Sequence, residues 1–278
     1  MEKNDISRTD HRSVPRALTI AGSDSGGCAG VQADLKTFGA LGVHGMSVIT
    51  AVTAQNTREV LAARGLPLRF IELQMEAVLT DIGVDAAKTG MLFSSRIVRA
   101  VAAKIREFAV ANLVVDPVMV ATSGARLIRD DAVAELRRSL LPLATVVTPN
   151  LREAEVLLGR ELVTDEDIER AAAEIRSWGP AAVIIKGGHR VDPARAVDFY
   201  DDGRTVERLD ALRIPTPHTH GSGCTFAAAI TAFLARGLDP LVAARNAKAY
   251  VTEAIRNSFP IGRGSGPLGH FFELWSRR

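Results

Sequence analysis

The chain has 278 residues, of which 47% are hydrophobic and 24% charged, and its formal net charge is +2 at pH 7. This balance excludes an intrinsically disordered chain and is sufficient for one large hydrophobic core. The basic residues are spread along the chain without forming a stripe, so the composition argues against nucleic-acid binding.

The sequence shows no sign of secretion or membrane insertion. Residues 1–16 are polar and charged, and no later window approaches the roughly 18 uninterrupted apolar residues that a membrane span needs. Two cysteines, Cys28 and Cys224, are too few for a disulfide framework, and no Cys or His pair has metal-ligand spacing. We therefore expect a cytoplasmic protein without membrane association, with residues 1–15 as a flexible tail and residues 16–278 as a single domain.

Short apolar runs rich in β-branched residues alternate with longer amphipathic runs that favour helices. Two of the short runs, 113–116 and 183–185, are nearly continuous in apolar residues, as expected of strands buried on both faces of a parallel sheet. The pattern predicts an α/β fold, a three-layer α/β/α sandwich around a mostly parallel central sheet. The predicted strands lie at 17–21, 47–52, 86–89, 113–116, 145–148 and 183–185.

Polar alternation replaces the apolar runs between residues 196 and 215. Two short alternating runs, 197–200 and 205–209, flank the sequence Asp-Asp-Gly-Arg at 201–204, in which Asp-Gly is a turn signal. We expect a small antiparallel hairpin at the sheet edge. A last helical pattern, at 241–257, completes a helical layer.

A glycine-rich segment, Thr-His-Gly-Ser-Gly-Cys-Thr at 219–225, precedes an apolar run that favours a helix. The first backbone N–H groups of a helix have no intrahelical partner, and the helix dipole favours negative charge there. The backbone of Gly221, Ser222 and Gly223 is therefore a candidate phosphate site. The same field should lower the pKa of Cys224, which makes this thiol a candidate base or nucleophile. The alternative is an ordinary helix cap followed by a small buried thiol.

The sequence lacks the common nucleotide-binding signatures. It has no P-loop, and its one GxGxxG match, residues 264–269, contains Pro267, follows no predicted strand and opens no helix, which argues against a nicotinamide-dependent dehydrogenase. The first predicted strand instead ends in a long glycine loop at 21–30. Parallel sheets bind ligands beyond the carboxyl ends of their strands, so this loop is a candidate binding loop, although a plain turn is the alternative.

Taken together, these motifs resemble those of the hydroxymethylpyrimidine and phosphomethylpyrimidine kinases of thiamine biosynthesis, which belong to the ribokinase-like superfamily. The resemblance covers nearly the whole chain after residue 16, and the closing pattern GPLGHF at 266–271 matches less perfectly. The matching segments are LTIAGSDSGG at 18–27, QADLKTF at 32–38, SVITA at 47–51, AQNT at 54–57, TGML at 89–92, DPVM at 116–119, TPN at 148–150, KGGH at 186–189 and THGSGC at 219–224.

The resemblance implies an ATP-dependent kinase that phosphorylates the hydroxymethyl group of 4-amino-5-hydroxymethyl-2-methylpyrimidine and then phosphorylates the resulting monophosphate. It also implies a pocket for the pyrimidine. In that pocket Gln55 both donates and accepts hydrogen bonds at the edge of the ring. The family positions that line the pocket are matched by Gln55, Gly22, Asp34, Met91 and Val118.

The resemblance also assigns the phosphate end of the site. Lys186, Asn150, Thr219 and Gly187 match positions for ATP, and Glu153 completes the Asn-x-x-Glu motif that helps to hold hydrated Mg²⁺. Relatives imply a homodimer.

Cys224 would accept the substrate's hydroxyl proton, at a place where many sugar kinases of the superfamily have Asp. Its sulfur would thus replace a carboxylate. The first amides of the following helix would form the anion hole.

Two positions depart from the family pattern. Cys28 stands where members commonly have Gly or Ala, and Thr122 stands where many carry a Lys that would help to neutralise phosphate.

Two alternatives stay open at this point. A pyridoxal kinase on the same scaffold is the first, although Gln55 favours the pyrimidine because relatives that prefer pyridoxal often have an apolar side chain there. The second is a pyrimidine sensor without catalysis, which would have no use for Cys224, Glu153 and Lys186 together.

Overall fold

The computed structural model describes residues 14–119, 130–188 and 194–275, so Thr122 and most of the expected N-terminal tail lie outside the described part. One nine-stranded sheet runs through the molecule. Its strands are β1 (Arg16–Asp24), β2 (His44–Gln55), β3 (Val60–Gly65), β4 (Ala86–Thr89), β5 (Leu113–Val115), β6 (Val146–Val147), β7 (Ala182–Ile185), β8 (Arg195–Asp201) and β9 (Val206–Leu212).

The strand order is β3-β2-β1-β4-β5-β6-β7-β8-β9. The six strands β2, β1, β4, β5, β6 and β7 pair with one another in parallel. Strand β3 at one edge and strands β8 and β9 at the other pair antiparallel. The inner strands β4, β5, β6 and β7 are buried along their whole length, which explains their continuous apolar sequence. The predicted α/β fold with a mostly parallel sheet is confirmed.

Helices cover both faces of the sheet. One face packs against α2, α3, α5 and α6, and the other against α1, α7 and α8. A π-helical turn and a 3-10 turn continue α4 as far as Leu143. The helices are α1 (Gly30–Ala40), α2 (Leu68–Asp81), α3 (Ser95–Glu107), α4 (Asp130–Glu135), α5 (Leu151–Leu158), α6 (Asp165–Arg176), α7 (Ser222–Ala235), α8 (Pro240–Arg256) and α9 (Phe272–Trp275). None of the helices in the described ranges is long and apolar enough to cross a membrane.

The two sheet edges differ in how well the sequence predicts them. The expected hairpin is present as β8 and β9, joined where Asp202 N–H donates to the Thr205 carbonyl at 3.2 Å. Strand β3, which pairs with β2 at the opposite edge, was not predicted. It lies half in solvent, with Leu61 67% exposed, so it has no buried face to impose an alternating pattern.

Helix α7 is the most buried helix, and its start is fixed by steric constraints. Residues 225–234 are all buried, as expected of a helix that is apolar all round. Gly221 caps it in the left-handed region, with φ of 86°, and a Cβ there would lie 1.9 Å from the Cys28 carbonyl oxygen. Only glycine meets both conditions. The first turn of α7 is thereby held against the loop that follows β1.

Candidate active site

A cavity of about 730 Å³ lies at the carboxyl ends of the parallel strands. Each central strand contributes a residue just at or beyond its end: Asp24 from β1, Gly90 after β4, Asp116 after β5, Asn150 after β6 and Lys186 after β7. This is where ligands bind in open parallel sheets. The size suits a small substrate together with part of a nucleotide.

The first turn of α7 forms one wall of this cavity, and its amides are available to an anion. Gly221, Ser222, Gly223 and Cys224 all line the cavity. The Ser222 N–H donates to the Thr219 carbonyl at 3.1 Å, whereas within the described residues the N–H groups of Gly223 and Cys224 make no hydrogen bond. Two bare amides at a helix start are a ready anion site.

The environment of Cys224 contradicts the predicted direction of its pKa. Burial raises the pKa of the thiol to about 12, although the Lys88 ammonium and the Gly30 backbone N–H act in the opposite direction. The prediction that the helix start lowers this pKa is therefore wrong, because desolvation outweighs the helix field.

Lys186 places a fixed positive charge beside the same turn of α7. Its Nζ donates to Asp116 Oδ1 at 2.9 Å and lies 3.3 Å from the position that a Cβ on Gly223 would take. Burial opposes the charge, but the carboxylates of Asp116 and Glu153 outweigh burial and raise the pKa of Lys186. The ammonium and the bare amides therefore converge on one part of the cavity.

Glu153 lines the cavity from the first turn of α5. Its Oε2 accepts from the Asn150 N–H at 2.7 Å, and Asn150 Oδ1 accepts from the Glu153 N–H at 3.0 Å, which is a capping box. The second oxygen, Oε1, accepts from the Met119 N–H at 3.4 Å. Burial raises the pKa of Glu153 to about 7, although Lys186 lowers it. The first-turn acid is thus a structural cap that also faces the cavity.

Gln55 lies at the end of β2 on the opposite side of the cavity. The Ser25 hydroxyl donates to its carbonyl at 2.9 Å and accepts from its N–H at 2.8 Å, which fixes the backbone. The side-chain Nε2 lies 3.0 Å from Nε2 of His220, and Oε1 lies 3.2 Å from the Thr53 hydroxyl. Each end of the amide keeps capacity for a ligand.

The remaining predicted pocket residues also line the cavity. Met91 fills the space beside Gly22, because a Cβ on Gly22 would lie 2.3 Å from Met91 Cε. Val118 adds an apolar surface to the cavity. Thr219 lines the cavity beside the turn that leads into α7.

A second cavity, of about 610 Å³, lies between α4 and α5 around Trp178. Its charged lining residues are Arg137 and Arg138, and arginine does not act as a base. The chemistry therefore belongs to the cavity at the strand ends.

The family model for phosphomethylpyrimidine kinase matches residues 24–269, which include every strand end of this cavity and the start of α7. The chain belongs to this family. The resemblance inferred from the sequence motifs is thereby confirmed.

Individual relatives agree with the family assignment. The hydroxymethylpyrimidine/phosphomethylpyrimidine kinase of Synechococcus elongatus is 51% identical over 94% of this chain and 99% of its own length. An ADP complex of Bacillus subtilis pyridoxal kinase superimposes with a TM-score of 0.87 at 43% identity, covering 93% of this chain and 98% of that one. The phosphomethylpyrimidine kinase of Clostridium difficile gives 0.77 at 42% identity over 86% and 99%. The scaffold is thus common to both kinds of kinase.

Two predicted site residues do not line the cavity. Asp34 has no exposed surface and accepts hydrogen bonds from Lys88 at 2.9 Å and from the Thr19 hydroxyl at 2.6 Å. Gly187 donates its N–H to Asp198 Oδ1 at 2.9 Å, and a Cβ there would lie 2.0 Å from the Val197 carbonyl oxygen. The contacts of Asp34 with the substrate and of Gly187 with ATP stay predictions, and in this structure both residues also have structural partners.

The pair of Asp34 and Lys88 yields a stability prediction. Burial alone lowers the pKa of Lys88, but the Asp34 carboxylate more than offsets it, so the lysine stays charged with no solvent access. Lys88→Met should lower the free energy of unfolding by about 3–5 kcal/mol, because it leaves an uncompensated buried carboxylate. Urea unfolding measures this change. Adding Asp34→Leu to the variant should recover most of the loss, and no recovery would contradict the pairing.

Three groups around the thiol were not predicted from the sequence. Asp116 holds Lys186, Lys88 lies close enough to act on Cys224 electrostatically, and Gly30 directs its N–H at the Cys224 sulfur. Lys88 and Asp116 share a signal that could have revealed them, since each is a charged residue within or directly after a strand that is otherwise apolar. The role of Gly30 depends on its backbone, and its residue type alone does not show it.

Proposed function

We propose that this chain transfers a phosphoryl group from ATP to the hydroxymethyl group of 4-amino-5-hydroxymethyl-2-methylpyrimidine, and then a second one to the monophosphate, in thiamine biosynthesis. The observation that carries the proposal is the convergence of Cys224, Lys186 and the bare amides of α7 on one cavity that Gln55 also lines. The family assignment supports the same substrate.

The pyrimidine end of the cavity matches a flat ring with polar edges. Met91 and Val118 offer apolar contact to a ring face, and the Gln55 amide offers a donor and an acceptor to its edge. An aminopyrimidine whose nitrogens stayed unpaired in such a cavity would bind poorly, so Gln55 is the main determinant of recognition.

At the phosphate end, the protein's task is to position the reactants and neutralise charge. Cys224 would accept the hydroxyl proton as the substrate oxygen bonds to the γ-phosphorus and ADP leaves. The Gly223 and Cys224 N–H groups and the Lys186 ammonium balance the charge on the transferring phosphoryl group. Because the transition state of this transfer is loose, the proton can move late, and a base that is mostly protonated at rest is adequate.

The carboxylate of Glu153 fits hydrated Mg²⁺. Each of its oxygens accepts one backbone hydrogen bond and so keeps a lone pair for a water of the ion's shell. Burial raises the pKa of Glu153 to about 7, so a nearby cation would also stabilise the ionised form of this carboxylate. Mg²⁺ bound with ATP would neutralise phosphate charge, and Asn150 and Thr219 would position the phosphates from the two sides of the cavity.

The second phosphorylation needs space and charge for a substrate that already carries one phosphate. The segment that contains Thr122, where many relatives have Lys, lies outside the described residues. The bifunctional activity is therefore proposed from the family assignment, with Lys186 as a cation beside the first turn of α7.

The proposal also covers the cellular compartment and the oligomeric state. We place the reaction in the cytoplasm, which supplies ATP and keeps thiols such as Cys224 reduced. The homodimer implied by relatives stays a prediction, and sedimentation of the purified chain tests it.

A comparison of substrates tests the proposed function. With Mg²⁺ and ATP present, kcat/KM for the hydroxymethylpyrimidine should exceed that for pyridoxal, and Gln55→Met should lower the pyrimidine value about 100-fold, because a hydrogen-bonding edge is lost. Gln74→Met is the matched control, since the Gln74 amide bonds to the Ile49 backbone away from the cavity. A higher kcat/KM on pyridoxal with the unaltered chain would overturn the substrate assignment.

A further inference from the structure

Asp24, Cys28 and His220 form a compact buried cluster at one side of the cavity. One oxygen of Asp24, the sulfur of Cys28 and a ring nitrogen of His220 all lie within 4.8 Å of one another. The three residues are 3%, 2% and 7% exposed. The fold brings the turn before α7, which carries His220, against the end of β1 and the short loop that follows it, although His220 is almost 200 residues away in sequence.

The acceptor groups of this cluster face each other. His220 Nε2 lies 3.0 Å from the amide nitrogen of Gln55, which can only donate, so Nε2 carries a lone pair rather than a proton. Burial lowers the pKa of His220, which agrees with a neutral ring. Asp24 Oδ2 lies 3.6 Å from the same nitrogen. The Gln55 amide thus uses the Nε2 lone pair, and a cation at Nε2 would take the place of this hydrogen bond next to Asp24 Oδ2.

The backbone holds the carboxylate in place. Asp24 Oδ1 accepts from the Gly26 N–H at 2.8 Å, and Oδ2 accepts from the N–H groups of Cys28 and Ala29 at 2.9 and 2.8 Å. The Cys28 sulfur lies 3.6 Å from the Gly26 carbonyl oxygen. The hydrogen bonds within this loop thus fix the Asp24 carboxylate and hold the Cys28 backbone beside it.

The donor set has the chemistry of a zinc ligand set. Thiolate, imidazole and carboxylate together suit Zn²⁺, whereas Mg²⁺ prefers oxygen ligands alone. Ligand atoms around a tetrahedral Zn²⁺ lie about 3.4 Å or more apart, so the 3.6 Å between Asp24 Oδ2 and His220 Nε2 already fits one edge.

We propose that Asp24, Cys28 and His220 bind a thiophilic divalent cation, for which Zn²⁺ is the best match. Asp24 and His220 line the cavity, so a fourth coordination position opens toward it. Binding converts the Cys28 thiol to a metal-bound thiolate and releases one proton to solvent, so affinity rises with pH. The site is separate from Glu153, and a cation on His220 would release the Gln55 amide that we propose for pyrimidine recognition.

Metal titration of the full chain tests this site without an activity assay. Co²⁺ is the probe, because a thiolate ligand gives it a charge-transfer absorption, and Zn²⁺ should displace it. We expect one equivalent to bind with that absorption. Cys28→Ala should abolish the absorption and weaken Zn²⁺ binding at least tenfold. Loss of a group that only orients a metal ligand already lowers metal affinity 10- to 100-fold, so loss of a direct ligand should lower it by at least as much.

The controls separate this site from other thiols and from misfolding. Cys224→Ala keeps Cys28 and should keep the absorption. His220→Ala should weaken Zn²⁺ as Cys28→Ala does, while circular dichroism reports that each variant is folded. The proposal is overturned if the folded, unaltered chain binds no Co²⁺, if the absorption survives Cys28→Ala, or if it is lost in Cys224→Ala.

Discussion

Replacing Cys224 by alanine is expected to lower kcat by about 1,000-fold and to leave the Kd for the pyrimidine within about threefold. The reason is that Cys224 lines the cavity beside the bare amides of α7 and is the group that we propose as acceptor of the hydroxyl proton. Loss of a general base typically costs 10²- to 10⁴-fold. Steady-state kinetics measure the first quantity and calorimetric titration the second.

A variant of the same helix controls for general damage to α7. Thr231→Ala removes a side chain whose hydroxyl bonds to the Ala227 carbonyl at 2.8 Å, and Thr231 is buried away from the cavity. It should leave kcat within about twofold. If Cys224→Ala turned over at the unaltered rate, the sulfur would have no role in the chemistry. If it lost binding as well, its role would be structural.

Lys186→Met is expected to lower kcat/KM by about 1,000-fold. Removal of one preorganised group that stabilises developing charge costs about 10²- to 10³-fold, and Lys186 is a full charge in a partly buried site. The variant also leaves the buried Asp116 carboxylate without its ammonium partner. Part of any loss could therefore arise from instability.

A double variant distinguishes the two causes. Lys186→Met with Asp116→Asn removes the unpaired charge, so urea unfolding should return toward the unaltered value, whereas kcat/KM should stay low. Recovery of activity in the double variant would show that Lys186 serves only to neutralise Asp116. Lys186→Arg should recover little, because a guanidinium does not reproduce the compact ammonium.

The sequence predicts the fold well where burial leaves a pattern. The continuous apolar runs of β5 and β7 identify inner strands of a parallel sheet, and the Asp-Gly turn identifies the hairpin of β8 and β9. Strand β3 was missed because an edge strand with Leu61 in solvent has no pattern of this kind. Local sequence patterns thus record how each strand is buried.

The site was predicted less completely, for a physical reason. The start of α7 follows from a local glycine motif, but the pKa of Cys224 depends on burial, on Lys88 and on Gly30, which are distant in sequence. The ion pair of Asp34 with Lys88 was not predicted either, because a sequence motif does not show which partner a buried carboxylate has. The cluster of Cys28 with His220 has no sequence spacing that would reveal it.

The most direct test of Cys224 as the base is the pH dependence of kcat in the unaltered enzyme and in Cys224→Asp. Burial raises the pKa of the thiol to about 12, and a base acts when deprotonated, so kcat of the unaltered enzyme should keep rising through alkaline pH. A carboxylate ionises far below a thiol, so Cys224→Asp should retain activity with its rising limb at least about 3 pH units lower. Identical pH profiles for the two enzymes would contradict the assignment of Cys224 as the base.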